Sequence, residues 1–95
     1  MSNYLPPPPP NPPAIYDHAF NGRLTVHRIP GVHFHCPYAP PHDPYSDVIG
    51  CTAPPVMSGP GRCVVWVARD VPRRYGVQLM RHEIAHCNGL PPEGP

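Results

Sequence analysis

The chain has 95 residues, 19 of them proline, and a formal net charge of +1 with its histidines neutral. This length predicts a single domain, and the nearly neutral charge argues against a nucleic-acid-binding protein. No run of about 20 apolar residues occurs, so no membrane span is predicted. A secretory signal is not recognisable at the N-terminus, and the sequence leaves the cellular compartment open.

Proline dominates the beginning of the chain. Residues 5–13 contain seven prolines, a composition typical of polyproline II structure, which is extended and has no internal hydrogen bonds. Such a segment offers few backbone donors and little apolar surface to a core. We therefore predict a disordered Pro-rich tail over residues 1–13, available to a partner domain, and a folded domain over residues 14–95.

The first predicted strand follows a turn signal at Asn21 and Gly22. Polar and apolar side chains alternate well enough over residues 23–29 to favour a strand, and Pro30 ends it. Residues 32–36 are predicted to form a second short strand.

The middle of the chain carries less periodic signal. Residues 37–61 contain seven prolines and predict a long irregular loop, with a short strand near residues 47–52. Residues 63–68 read Cys-Val-Val-Trp-Val-Ala, a continuous apolar run rich in β-branched side chains. This composition predicts a strand, and its apolar character on both faces indicates a central position in the sheet.

The last element is predicted to be a helix over residues 72–88. Asp70 is a suitable N-cap, Pro72 suits the first turn, and Gly89 supplies the C-terminal stop. An apolar stripe at helical spacing is expected to pack on the sheet, and its members are Val77, Met80, Ile84 and Cys87. These elements predict an α+β fold in which a small antiparallel or mixed sheet packs on one C-terminal helix.

An H-E-x-x-H motif lies inside the predicted helix, where residues 82–86 read His-Glu-Ile-Ala-His. Side chains four residues apart share one helix face, so His82 and His86 can direct both imidazoles at one ion. Zinc accepts neutral imidazole nitrogens at about 2.0–2.1 Å. Glu83 is turned by about 100° from His82, which places it beside the metal as a base for a zinc-bound water. The composition gives a chance match in roughly 1% of such chains, which makes the motif informative.

Together with the residues after it, the motif reads His-Glu-Ile-Ala-His-Cys-Asn-Gly over residues 82–89. This segment resembles the zincin metallopeptidase signature H-E-x-x-H-x-x-G. It is most similar to short bacterial proteins that carry His-Glu-x-x-His-Cys-Asn-Gly near their C-termini. The resemblance implies a minimal zincin-like domain over residues 14–95 that binds Zn²⁺ and cleaves a peptide or protein substrate. It also implies that the strand at residues 63–68, or a neighbouring edge strand, pairs with the substrate backbone.

The resemblance further implies a third protein ligand for the zinc. In metzincins this ligand is a histidine three residues after the glycine, and Pro92 occupies that position here. In the short bacterial proteins a Trp commonly follows the glycine and a His or Asp lies a few residues further on, whereas Leu90 follows Gly89 here. Glu93 is the only ionisable side chain after Gly89 and is our first candidate for the third ligand. The alternatives come from the predicted loop and are His33, His35, His42 and Asp43.

The cysteines and a second cluster leave alternatives open. Cys51 can pair with Cys63, and Cys36 with Cys87, although Cys87 is equally acceptable as a buried thiol. A second cluster of zinc-ligand side chains lies close together in sequence, at His33, His35, Cys36, His42 and Asp43. Its spacing matches no standard zinc finger, and a separate metal site there is one alternative. Besides a zinc peptidase, we consider a non-catalytic zinc-stabilised binding module and a disulfide-stapled domain without metal.

Overall fold

The structure, a computed structural model, describes residues 7–30 and 49–91. The described segments contain, in chain order, β1 (Arg23–Ile29), β2 (Gly50–Ala53), α1 (Pro55–Ser58), β3 (Arg62–Ala68) and α2 (Arg73–Cys87). Neither of these two helices combines the length and the apolar content needed to cross a bilayer. The predicted strand at residues 32–36 lies outside the described residues.

The three strands form one mixed sheet in the order β1-β3-β2. β1 pairs with β3 in parallel, with Leu24 beside Cys63, and β2 pairs with β3 antiparallel, with Thr52 opposite Val65. The α+β class and the mixed form of the sheet are therefore confirmed, and the apolar strand at residues 62–68 is the central one. Among the described residues, only one edge of each outer strand is paired.

The core lies between β3 and α2. Cys63, Val65 and Val67 have 0%, 0% and 1% of their surface exposed, and they cluster with Leu79 and Cys87 of α2. Because strand side chains alternate between faces, every second residue of β3 points at the helix. Full burial of a valine side chain contributes about 1.5–3 kcal/mol, so this strip supplies much of the apolar stabilisation.

A disulfide joins the two layers, linking Cys63 of β3 to Cys87 at the end of α2. Both predicted pairings, Cys51 with Cys63 and Cys36 with Cys87, are therefore wrong, as is the free buried thiol at Cys87. The sheet register gives the reason. Cys51 is opposite Trp66, so it lies on the sheet face away from α2, whereas Cys63 faces the helix. Cys51 is itself disulfide-bonded.

The buried face of α2 differs from the predicted apolar stripe. Val77 is 58% exposed, and Ile84 lies at the side of the helix near Asp17 and His18. The helix residues that are buried are Tyr75, Leu79, His82, Glu83, Ala85 and Cys87. The predicted stripe is thus correct for Cys87 and Met80, which pack in or against the core, and wrong for Val77. The burial of His82 and Glu83 turns the inward face of α2 away from Val77.

The N-cap of α2 differs from the prediction, whereas its C-terminal stop agrees with it. The helix begins at Arg73 after Pro72 as N-cap, without any side-chain cap hydrogen bond, so Asp70 does not cap it. The C-terminal stop is confirmed, because the helix ends at Cys87 and Gly89 has a φ of 109°. A side chain at Gly89 would be strained by this positive φ.

The loop predicted over residues 37–61 contains regular structure in its described part. Residues 50–53 form β2, which overlaps the predicted strand near 47–52, and Pro55–Ser58 form the short helix α1. Pro55 starts α1 at a position where a missing N–H is no loss, which explains why proline accompanies a helix here.

The second half of the proline-rich tail contacts α2. Residues 7–13 contain no helix or strand, as expected for polyproline. However, Pro12 is buried, the Pro9 carbonyl accepts a hydrogen bond from Gln78 Nε2 at 3.1 Å, and Asn11 Oδ1 accepts one from Arg81 Nη1 at 3.2 Å. Residues 9–12 of the predicted tail are therefore held against α2 by polar side chains of the helix.

Candidate metal-binding and catalytic site

The two motif histidines face each other on α2. His82 and His86 are one helical turn apart, and their Nε2 atoms are 3.2 Å apart. The ring centroids are 4.8 Å apart and the ring planes are nearly perpendicular, at 86°. His82 is 9% exposed and His86 is half-buried. This arrangement brings two ring nitrogens to a common point, where they can share a proton or a cation.

The carbonyl of Leu90 sets the tautomer of His86. His86 Nδ1 lies 2.8 Å from the Leu90 oxygen, and because a carbonyl only accepts, Nδ1 must carry the hydrogen. In the neutral ring Nε2 then keeps its lone pair directed at His82. The chain reversal at Gly89 brings Leu90 back to the last helical turn. Metal-binding histidines in proteins are commonly oriented by such a second hydrogen bond.

The separation of the two Nε2 atoms fits a tetrahedral zinc ion. Two nitrogen ligands at about 2.0–2.1 Å from such an ion lie about 3.3–3.4 Å apart, close to the observed 3.2 Å. Imidazole nitrogen is a common zinc donor, so the chemistry also fits. Within residues 7–30 and 49–91, no group of three or more His, Cys, Asp or Glu side chains is placed to hold a metal.

Glu83 is buried between α2 and β2. Its side chain is 4% exposed, and its Oε1 accepts a hydrogen bond from Thr52 Oγ1 at 2.7 Å. The same hydroxyl lies 2.9 Å from the Glu83 carbonyl. Gly50, two residues before Thr52 on β2, lies beside the carboxylate as well. The edge strand β2 thus holds the acidic residue of the motif.

The N-terminal segment, defined as residues 9–18, anchors the outer side of α2. Arg81, which precedes His82, forms an ion pair with Asp17, including a hydrogen bond from Nε to Oδ1 of 3.3 Å. This hydrogen bond from Arg81 holds the pKa of the Asp17 carboxyl below its ordinary value and raises the pKa of the Arg81 guanidinium. Asn88 Nδ2 donates to the carbonyl of Tyr16 at 3.0 Å, so the segment is bound at both ends of the motif.

The structure places three of the predicted site residues together on α2, namely His82, Glu83 and His86. The other predicted ligands lie outside the described residues, and these are Glu93, His33, His35, His42 and Asp43. Comparison with protein-family models, curated proteins and solved structures finds no match to this chain.

Sequence reasoning missed Thr52, Gly50 and the side-chain role of Asn88. Thr52 contacts Glu83 across 31 residues of chain, and no local pattern reveals such a contact. The amide of Asn88 binds the N-terminal segment, and its position next to Gly89 in the sequence does not reveal this contact.

Proposed function

We propose that this protein is a zinc-dependent hydrolase of peptide bonds, in which His82 and His86 hold the metal and Glu83 is the general base. One observation carries the proposal: the two Nε2 atoms lie 3.2 Å apart, and the Leu90 carbonyl directs one lone pair into the gap between them. In a helix with ordinary surface histidines both rings are expected to be exposed, whereas here His82 is buried and His86 is held by the Leu90 carbonyl.

The chemistry follows from the residues on α2 and β2. Zinc bound at this pair would act as a Lewis acid, lowering the pKa of a bound water to about 7 and polarising a substrate carbonyl. The Glu83 carboxylate would take the proton from the attacking water and return it to the leaving amine. Two features support this role: Glu83 directly follows His82 on α2, and its carboxylate is held by the Thr52 hydroxyl. A general base must be within hydrogen-bonding reach of the proton that it removes.

A third ligand is needed for a working site. We propose Glu93 first, with His33, His35, His42 and Asp43 as alternatives, because carboxylate and imidazole both complete zinc sites with two histidines. Individual substitution of these residues, followed by measurement of zinc affinity, distinguishes among them.

A disulfide-stapled domain without metal is the second candidate. The observation that favours it is the Cys63–Cys87 disulfide, which already joins α2 to the central strand. In that case the two histidines share an N–H···N hydrogen bond at 3.2 Å. The same disulfide weighs against a non-catalytic zinc-stabilised module, because the fold needs a structural metal less when its layers are covalently joined.

Metal content and hydrolysis separate these functions. We expect one zinc per chain, measured by inductively coupled plasma mass spectrometry, in the wild type and in Glu83→Gln, and its loss in His82→Ala and His86→Ala. His27→Ala is the matched control, because His27 belongs to β1 and not to the motif on α2. It is exposed there and stacks on Trp66. With a fluorogenic peptide library, Glu83→Gln should lose about 10²–10⁴-fold in kcat.

Each outcome decides between the candidates. Wild-type protein that binds no zinc supports the metal-free domain. Stoichiometric zinc without hydrolysis, together with unfolding on chelation, supports the non-catalytic module. Full activity in Glu83→Gln shows that Glu83 is not the base.

A further inference from the structure

The Glu83 carboxylate occupies a pocket built by two residues of β2. Thr52 donates a hydrogen bond of 2.7 Å to its Oε1 and lies 2.9 Å from its backbone carbonyl. Thr52 itself is only 3% exposed. The single hydrogen of this hydroxyl is shared between a side-chain and a main-chain oxygen of Glu83, with the shorter distance to the carboxylate, and this contact restricts rotation of the carboxylate about its side-chain bonds.

Gly50 provides the space for the other side of the carboxylate. A Cβ at this position would lie 3.1 Å from Glu83 Oε2 and 3.0 Å from Leu79 Cδ1. Both distances are shorter than ordinary van der Waals contact, so a larger residue would displace the carboxylate or the leucine. Strand side chains two residues apart share one face, which explains why Gly50 and Thr52 act on the same group.

The burial of Glu83 increases the importance of the hydrogen bond from the Thr52 hydroxyl. A carboxylate that is 4% exposed is costly to keep charged unless it accepts hydrogen bonds. Thr52 is also β-branched, and its side chain therefore has few rotamers, so the donor stays in place. These properties are the ones expected of a residue that orients a catalytic group.

We propose that Thr52 is the positioning residue for Glu83, holding the carboxylate in the orientation needed for proton transfer, with Gly50 keeping the pocket open. This inference rests on the proposed function, since it assigns Thr52 a role in the same site. Thr52 would act through Glu83, to which it donates its hydrogen bond.

The contact is tested first without metal or substrate. The chain has two glutamates, Glu83 and Glu93, so side-chain ¹³C-labelled glutamate in a Glu93→Gln background gives one carboxylate signal. We expect Thr52→Val to shift the carboxylate stretch in the infrared spectrum at a fixed neutral pH, and Thr52→Ser to restore it. Thr25→Val is the matched control, because Thr25 is exposed on β1. An unchanged stretch in Thr52→Val overturns the inference.

The zinc-loaded enzyme tests the role itself. Removal of an orienting partner typically costs about 10–100-fold in activity. We therefore expect kcat to fall by this factor in Thr52→Val with KM and zinc content unchanged, and to recover in Thr52→Ser. Should Thr52→Val not fold, Gly50→Ala provides the second perturbation, with the hydroxyl intact and the carboxylate displaced, and kcat should fall in the same way.

The two proposals fail differently. A kcat in Thr52→Val equal to that of the wild type overturns the positioning role while the peptidase assignment stands. A zinc-loaded wild type that cleaves no peptide overturns the proposed function, and with it the role of Thr52 in positioning Glu83 for catalysis. In that event a shifted carboxylate stretch still assigns Thr52 a purely structural contact.

Discussion

Removal of the Cys63–Cys87 disulfide should destabilise the domain severely. The two cysteines lie 24 residues apart in sequence, and for a loop of this length the chain-entropy model gives about 3.5 kcal/mol at 25 °C. A 95-residue chain is expected to have a total stability of roughly 5–14 kcal/mol. The Cys63→Ala/Cys87→Ala double variant should therefore lose between about 25% and 70% of the stability of the wild type.

Urea unfolding followed by circular dichroism measures this loss. Wild type and double variant are compared oxidised and then in the presence of a reductant, with Cys51 unchanged in both. Under reducing conditions the difference should shrink to the packing contribution of the two sulfur atoms. A loss of less than about 1 kcal/mol in the oxidised proteins, or a difference that the reductant leaves unchanged, would refute the loop-closure reasoning.

Two further substitutions test the anchoring of α2. Gly89→Ala should destabilise the protein by roughly 1–2 kcal/mol because of the positive φ, and should weaken zinc binding by moving the carbonyl that orients His86. Gly76→Ala is its opposite-sign control, because a Cβ there meets only ordinary contacts and should stabilise the helix by up to about 1 kcal/mol in thermal or urea unfolding. Asp17→Asn should remove a contribution to stability that is present above about pH 4 and lost as the pH falls through the lowered pKa of Asp17. Thermal unfolding across this pH range should show that the stability difference between wild type and Asp17→Asn falls to zero in acid and decreases in high salt. A stability difference that does not change with pH or salt would exclude the ion pair with Arg81 as its source.

The elements predicted from sequence were those with local signals. Alternation over residues 23–29, the β-branched run at 63–68 and the glycine stop at Gly89 each depend on neighbours in sequence. The structure reproduces these elements within one residue at each end. The spacing of His82 and His86 is local in the same sense, so their juxtaposition was predictable.

The remaining features depend on contacts between distant residues. Thr52 stabilises the buried carboxylate of Glu83 from another element, and no pattern around Glu83 in the sequence indicates that this acidic residue is buried. The predicted apolar stripe of α2 therefore includes Val77, which is exposed, and omits Glu83, which is buried. Disulfide pairing failed for a related reason, because the sheet register decides which face each cysteine occupies.

α2, the last described element, contacts most other parts of the described domain. α2 supplies the second layer over β3, one half of the disulfide, both histidines and the donors that bind the N-terminal segment. A chain growing from its N-terminus therefore exposes the apolar strip of β3 until residues 73–88 have been synthesised, since no other described element covers it. Such long-range dependence slows folding and exposes the nascent chain to aggregation. Truncation before residue 73 should yield a polypeptide that relies on chaperones, with no independently folded fragment.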